Sequence, residues 1–346
     1  MQQATRISGV GAYLPERRLT NADLAQMVET SDDWIVERSG IRERRIAADN
    51  ESSSTMGAEA ARRALTSAAL EPADIDIVIA GTCTPDGMFP ATATRIQDAL
   101  GISDAAAFDV NAACTGFLVA LSTASQFVES GNAHRALVVG TETLSRIVDW
   151  TDRATCVLFG DGAGAVVVEA APDGRPGAVK SFLLRSDGSH AGLLYAHGPA
   201  SPNPNGDPLQ ALIVMDGRNI FRQAVTAMSG AARQAITDAG ITIDDIALCI
   251  PHQANLRILK ATARNVGLPE ERVYVNLDRY GNTSSATIPI ALTEAATEGR
   301  LSPGDHVLLV AFGGGLSWGA MVMEWSGIDT LGRAATADLR STAASS

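Results

Sequence analysis

Aromatic and charged side chains are both scarce in this chain. Phe, Tyr and Trp make up 5% of its 346 residues and Asp, Glu, Lys and Arg 19%, while 46% are hydrophobic. So little charge beside so much apolar side chain excludes a disordered chain, which cannot bury enough apolar surface to fold. Long apolar runs are missing too, and none approaches the roughly 20 residues of a membrane span. The opening Met-Gln-Gln-Ala-Thr-Arg-Ile lacks an apolar signal core, so a cytoplasmic protein is expected. The four cysteines show no pairwise metal-ligand spacing and read as reduced thiols, with no metal site. Basic residues are the minority charge. With 27 Lys and Arg against 39 Asp and Glu, the net charge of −12 argues against nucleic acid as the main partner. An acidic partner would need a local basic patch.

What the chain does contain is a repeat. Ala60-Ala-Arg-Arg-Ala-Leu-Thr-Ser-Ala returns as Ala231-Ala-Arg-Gln-Ala-Ile-Thr-Asp-Ala, an offset of 171 (231 − 60). The same offset carries Asp74-Ile75 onto Asp245-Ile246, Ala120-Leu121 onto Ala291-Leu292 and Leu137-Val-Val139 onto Leu308-Leu-Val310. After a length change, Gly160 to Glu169 lines up with Gly315 to Glu324. Near-continuous apolar segments such as Ile75 to Ala80 read as strands buried on both faces. A duplicated α/β unit predicts a pseudo-twofold molecule: two buried sheets, with helices between and outside them. The halves are expected at 1–175 and 176–326. The Ala/Ser/Thr-rich residues 327–346 are expected to form a disordered tail.

Candidate site residues follow from the repeat. Residues 106–131 read as a short strand, a small-residue turn and an apolar helix. Leu118, Leu121, Ala124, Ser125 and Val128 recur at helical spacing, and Gly131 stops the helix. Cys114 falls at or just before the helix start, where free N–H groups and the macrodipole favour thiolate. The alternative is a buried structural cysteine. The offset sets Ser285 opposite Cys114, Asn282 opposite Asn111, and His252 opposite Gly81. Cys114, His252 and Asn282 therefore belong at equivalent strand ends around one axis. His252 is an acid–base or hydrogen-bond-donor candidate, or else a helix-capping His. Asn282 is a second polar candidate, or a simple turn residue.

Several further features surround these three. Gly313-Gly314-Gly315 let a backbone N–H approach a ligand oxygen, or merely form a hairpin. Trp34 and Arg38 share a helix face and suit a nucleotide; a solvated charged turn around one packed Trp is the equal alternative. Asn21 is expected to cap a polar helix. Arg257, Lys260 and Arg264 share one face of a helix predicted over 253–266. They form a basic stripe for an anionic partner, or a solvated face. Gly160-Asp-Gly-Ala-Gly enters a strand rather than a helix, so it is no phosphate loop.

Taken in order, several motifs resemble one known family. They are Trp34-Ile-Val-Glu-Arg38-Ser-Gly-Ile-Arg-Glu-Arg, Ala-Ala-Cys114-Thr-Gly-Phe, Phe159-Gly-Asp-Gly-Ala-Gly, Pro251-His252-Gln-Ala-Asn-Leu-Arg257, Gly281-Asn282-Thr-Ser and Phe312-Gly-Gly-Gly-Leu-Ser-Trp-Gly. The family is β-ketoacyl-acyl-carrier-protein synthase III, of the thiolase superfamily, and the resemblance covers about residues 5–326. It implies a thiolase-like, internally duplicated, five-layered αβαβα sandwich. The implied reaction joins a short acyl-CoA to malonyl-acyl-carrier protein, with no metal or redox cofactor and with coenzyme A thioester as substrate. By resemblance Cys114 is the acylated nucleophile, His252 and Asn282 complete the triad, and the N–H groups of Cys114 and Gly314 form the oxyanion hole. Trp34 and Arg153 resemble the residues around the adenine of coenzyme A, and Arg38 one that reaches its pyrophosphate. Arg257, on the face shared with Lys260 and Arg264, resembles the carrier-protein contact. Phe89 resembles a residue donated across a homodimer interface to close the acyl pocket. Asn265 departs from the family, where a second basic residue is expected. A secondary-metabolic relative is the nearest alternative; a non-catalytic carrier-binding partner fits less well, since Cys114 is present.

Overall fold

A computed structural model of the chain describes residues 4–171, 179–198, 201 and 212–328. The expected division at 175/176 and the expected tail from residue 329 onward lie outside the described residues. Gly327 and Ile328, placed in that tail by the sequence, are described, and Ile328 packs on the central core.

Two sheets organise the chain. In the first, the order is Thr5–Tyr13, Asp161–Ala170, Arg135–Thr143, Ile77–Gly81, Ala106–Val110. The last three run parallel, and Asp161–Ala170 is antiparallel to both its neighbours. In the second, the order is Ile246–Pro251, His306–Gly313, Ser317–Glu324, Val179–Ser186. Strand side chains alternate between faces, and here both faces are buried. Ile79, Val138 and Val166 of the first sheet and Ile250, Leu309 and Met321 of the second point inward. Between them lie the helices Gly116–Glu129 and Thr287–Thr297, through Leu118, Leu121, Ile288 and Leu292. The opposite faces carry outer helices: Ser53–Ala68 and Thr92–Leu100 on the first sheet, Gly217–Asp238 and Leu256–Val266 on the second. The result is the five-layered αβαβα sandwich.

The offset of 171 holds at the level of single turns. The 3-10 turns Pro72–Asp74 and Ala113–Thr115 recur at Ile243–Asp245 and Ser284–Ala286. The strands starting at Arg135 and His306 also match. At one sheet edge the copies diverge. The edge strand Ala106–Val110 corresponds to residues 277–281, yet there the chain forms the short helix Leu277–Tyr280. Among the described residues, an isolated bridge between Cys249 and Val273 marks the missing edge.

Some boundaries differ from the sequence reading for local reasons. Thr20, not Asn21, caps the helix Asn21–Met27, through a reciprocal box with Asp23. Asn21 is instead buried, bonding Asp32 and the Ile41 carbonyl. The strand expected from Ile75 begins at Ile77, because Pro72–Asp74 forms a 3-10 turn first. The helix expected from residue 253 begins at Leu256, because the Asn255 side chain accepts from Arg257 N and caps it. Of the Arg42–Arg45 stretch, Arg42 is exposed but Arg44 and Arg45 are buried. Arg44 is fully buried and donates to Leu19 O, Asn21 Oδ1 and Val157 O at 3.1, 2.9 and 2.7 Å. Burial lowers its guanidinium to about 10.

Candidate active site

Two one-turn segments meet where the halves join. In the first, Ala113 takes a positive φ of 45°, and in the second Ser284 takes 48°. Each is introduced by an Asn whose side-chain oxygen accepts the N–H two residues on: Asn111 from Ala113 N at 3.3 Å, Asn282 from Ser284 N at 2.8 Å. With Oδ1 so engaged, Asn282 has its NH₂ group left for donation. It lines a cavity of about 330 Å³ together with Cys114 and His252.

Cys114 is buried at the start of the central helix. Gly313 explains how the other half approaches it: a Cβ there would stand 2.7 Å from Cys114 N and 3.0 Å from Cys114 Cβ. The glycine run is therefore both a hairpin and a close approach. Ser317 fastens the two turns, lying 2.7 Å from Thr115 Oγ1 and donating to Gly314 O at 3.0 Å. Gly314 is thus held beside the Cys114 turn, although it does not line the cavity itself.

The electrostatics differ from the expectation of a thiolate. Burial pushes the Cys114 thiol up to about 12, a hydrogen bond from Ser284 opposes this, and the nearby Glu142 adds to it. Loss of solvation outweighs the helix N-terminus here. Burial also pushes His252 down to about 3, so the ring rests neutral. Its backbone N–H donates to Val310 O at 2.8 Å, and its Nδ1 lies 2.7 Å from Thr287 Oγ1. The same hydroxyl donates to Ser284 O at 2.9 Å, a carbonyl that also accepts Thr287 N–H. With its proton turned to Nδ1 instead, Ser284 O keeps the Thr287 N–H and His252 holds its own proton on Nε2, able to donate.

The cavity mouth is formed by Trp34, Arg38 and Arg153. The guanidinium carbons of Arg38 and Arg153 stand 4.5 and 5.0 Å from the Trp34 ring centre. A purine placed between Trp34 and Arg153 must lift Arg153 off the ring; that side chain is exposed and donates to Glu29 O. Ile220, Phe221, Ala224 and Met228 of the helix Gly217–Asp238 line one wall. Sequence reading missed that wall, though the spacing 220, 224, 228 marks one helix face. It also missed Glu142 and Thr287, which carry no motif, and gave no role to Ser284, the last residue of the Gly281-Asn282-Thr-Ser motif.

The remaining candidates lie outside the cavity. Arg257, Lys260 and Arg264 are exposed on the helix Leu256–Val266, whose opposite side buries Ile258, Leu259 and Ala263. Arg257 stacks over Phe221 at 5.5 Å, next to the cavity wall, whereas Lys260 pairs with Glu270 at 3.0 Å. Phe89 is 84% exposed and Met88 69%. Cys83, Cys156 and Cys249 are free thiols, the last two buried. Among the described residues, no helix is long and apolar enough to cross a membrane.

Comparison with known proteins fits this geometry. The profile of 3-oxoacyl-[acyl-carrier-protein (ACP)] synthase III matches residues 108–188, and that of its C-terminal region matches residues 236–325. The β-ketoacyl-[acyl-carrier-protein] synthase III of Rhizorhabdus wittichii is 51% identical over 319 residues, covering 92% of this chain and 98% of that protein. The solved 3-oxoacyl-[acyl-carrier-protein] synthase III of Aquifex aeolicus superposes with a TM-score of 0.87 at 45% identity, covering 93% of this chain and all of that one. The priming β-ketosynthase of a polyketide biosynthetic pathway reaches 0.88 at 38% identity, covering 94% and 98% of the two chains. The chain belongs to the β-ketoacyl-[acyl-carrier-protein] synthase III family.

Proposed function

We propose that this acyltransferase condenses a short acyl-CoA, acetyl-CoA first among them, with malonyl-acyl-carrier protein. The products are 3-oxoacyl-carrier protein, CO₂ and CoA, and the step initiates fatty-acid synthesis in the cytoplasm. One observation carries the reading. A single cavity holds Cys114, His252 and Asn282 at its inner end and Trp34, Arg38 and Arg153 at its mouth.

The acyl-CoA enters with its adenine between Trp34 and Arg153 and its pyrophosphate near Arg38. Cys114 attacks the thioester and CoA leaves, giving an acyl-enzyme. The acidic carrier protein docks on Arg257, Lys260 and Arg264; the Lys260–Glu270 pair and Asn265 weaken the far end of that stripe. His252 Nε2–H and the Asn282 NH₂ donate to the malonyl thioester carbonyl, so loss of CO₂ leaves an enolate between two donors. One such donor is worth about 3–4 kcal/mol of barrier. The enolate attacks the acyl group on Cys114, and the resulting oxyanion rests on the N–H groups of Cys114 and Gly314. Met88 and Phe89, apolar and exposed, enter a second copy in a homodimer, where Phe89 closes the acyl pocket and limits chain length.

The test is a condensation assay with purified chain, a panel of acyl-CoA donors and malonyl-carrier protein, reading the carrier's mass. The expected product is the 3-oxoacyl-carrier protein from the shortest donors. No product from any donor overturns the reading. A strong preference for donors other than acetyl supports polyketide priming instead, the activity of the solved β-ketosynthase that is 38% identical.

A further inference from the structure

We infer that the hydroxyls of Thr115 and Ser317 form a clasp between the two halves that aims the Gly314 N–H at the acyl oxygen on Cys114. The inference rests on the reading that Cys114 is acylated and that the N–H groups of Cys114 and Gly314 hold the oxyanion. It answers a question which that reading leaves open, namely what keeps one N–H of a three-glycine run pointed at a fixed spot. A donor stabilises developing charge only where it is held in place beforehand, and glycine backbone is the least restrained of all.

The run is anchored at both ends. Gly313 pairs with Ser317 across the hairpin and packs on Cys114 N. Leu316 exchanges backbone hydrogen bonds with Asp187 at 2.8 and 3.0 Å. Between these anchors Gly315 is exposed, with a φ of 138°. Gly314 rests beside the nucleophile's turn: a Cβ there would stand 3.0 Å from Leu194 O and 3.6 Å from Ala113 Cβ. Its carbonyl accepts from Ser317 Oγ at 3.0 Å. Ser317 Oγ lies in turn 2.7 Å from Thr115 Oγ1, and Thr115, the residue after Cys114, is fully buried. Ala112 O, which leads into the same turn, is 2.6 Å from Thr115 Oγ1 and 3.3 Å from Ser317 Oγ.

The two hydroxyls have two protons between them, and their mutual contact takes one. The other goes to Gly314 O when Thr115 donates to Ser317, and to Ala112 O when Ser317 donates to Thr115. The first direction leaves each carbonyl a donor, because Ala112 O already accepts the Thr115 N–H at 3.0 Å that closes the turn around Cys114. Gly314 O is then held by a chain of two hydroxyls that starts in the other half. Fixing that carbonyl fixes the backbone of Gly314, and with it the direction of its N–H.

The repeat argues that the turn itself does not require the clasp. The offset of 171 carries Thr115 onto Ala286, and the alignment of Gly160 to Glu169 with Gly315 to Glu324 carries Ser317 onto Gly162. The pseudo-twofold counterpart of the contact therefore has no hydroxyl, although the turn Ser284–Ala286 is of the same kind as Ala113–Thr115. The hydroxyl pair stands at the junction where the reading calls for an oxyanion hole.

Neither residue lines the cavity, so both are positioning residues. Thr115→Val keeps the shape and the backbone N–H but removes one hydroxyl, and Ser317→Ala removes the other. Each is expected to slow acylation of Cys114 by acetyl-CoA about tenfold or more, with unchanged KM. Decarboxylation of malonyl-carrier protein, which uses the His252 and Asn282 donors, is expected to keep its wild-type rate. The double variant is expected to lose no more than the slower single one, because either change opens the same clasp. Infrared spectra of the acyl-enzyme made with carbonyl-labelled acetyl-CoA read the aim of the N–H directly. The wild-type thioester band is expected below that of free acetyl-CoA, and the bands of both variants nearer to it. Bands at the wild-type position in both variants overturn the inference, as does an equal loss of acylation and decarboxylation. A wild-type band at the position of free acetyl-CoA instead overturns the oxyanion hole, and absence of any acyl mass gain in the wild type overturns the reading of Cys114 itself.

Discussion

The turn Ala113–Thr115 and its copy Ser284–Ala286 have the same backbone and opposite uses. Both begin on an Asn-headed turn with a positive-φ residue and run into a central helix. In the first copy the middle residue is Cys114, facing the cavity. In the second it is Ser285, turned away into hydrogen bonds with Glu142 and Gly81 O. The contrast repeats at the neighbouring strand ends. His252 of the second half corresponds to Gly81 of the first, where a Cβ would stand 2.7 Å from the Gly116 backbone. One half is packed so tightly that no side chain fits, and the other opens the same position for an imidazole. In the proposed reaction a duplicated unit has thus kept its frame and divided the labour: one copy supplies the nucleophile, the other the donors.

Exchanging the roles should break the division. His252→Ala is expected to lower condensation by about 10²–10⁴-fold, the usual range for losing a positioned proton donor, as read by the carrier-protein assay, while the fold persists. The mirror change, Gly81→Ala, acts on stability instead. Forcing a methyl against Gly116 is expected to cost about 1–3 kcal/mol in denaturant unfolding. Ser285→Ala removes a buried hydroxyl from Glu142 and Gly81 O, with an expected loss of about 1–2 kcal/mol by the same measurement. A pH slope completes the set. Folded His252 resists protonation down to about 3, against 6.5 for the free side chain. Below pH 6.5 the unfolded chain therefore binds a proton that the folded chain refuses. Its contribution is complete above 6.5 and is lost as pH falls toward 3, and His252→Ala should flatten that part of the stability profile.

The frame was legible because a duplication leaves a periodic record. The offset of 171 located the partner turns to the residue, and with them Cys114, His252 and Asn282. It failed where the copies diverge: residues 277–281 form a helix and not the edge strand of 106–110, because nothing in an offset says which copy keeps an element. Buried polar groups were illegible for a different reason. Arg44 and Glu142 sit in stretches, Glu-Arg-Arg and Thr-Glu-Thr, that look like surface. Their burial depends on acceptors and donors supplied from distant segments: Val157 O for Arg44, and Ser285 for Glu142. The charge state of Cys114 was misjudged likewise. The helix start is visible in sequence, but the loss of solvent that outweighs it is a property of the assembled halves.

The central claim, that one copy of the repeated turn carries the nucleophile and the other does not, has a direct test. The purified chain is incubated with acetyl-CoA, its intact mass is measured, and the modified peptide is sequenced. The account predicts a gain of a single acetyl group on Cys114, absent in Cys114→Ala. No gain, or an acetyl group carried by Cys83 or Ser285, would contradict it.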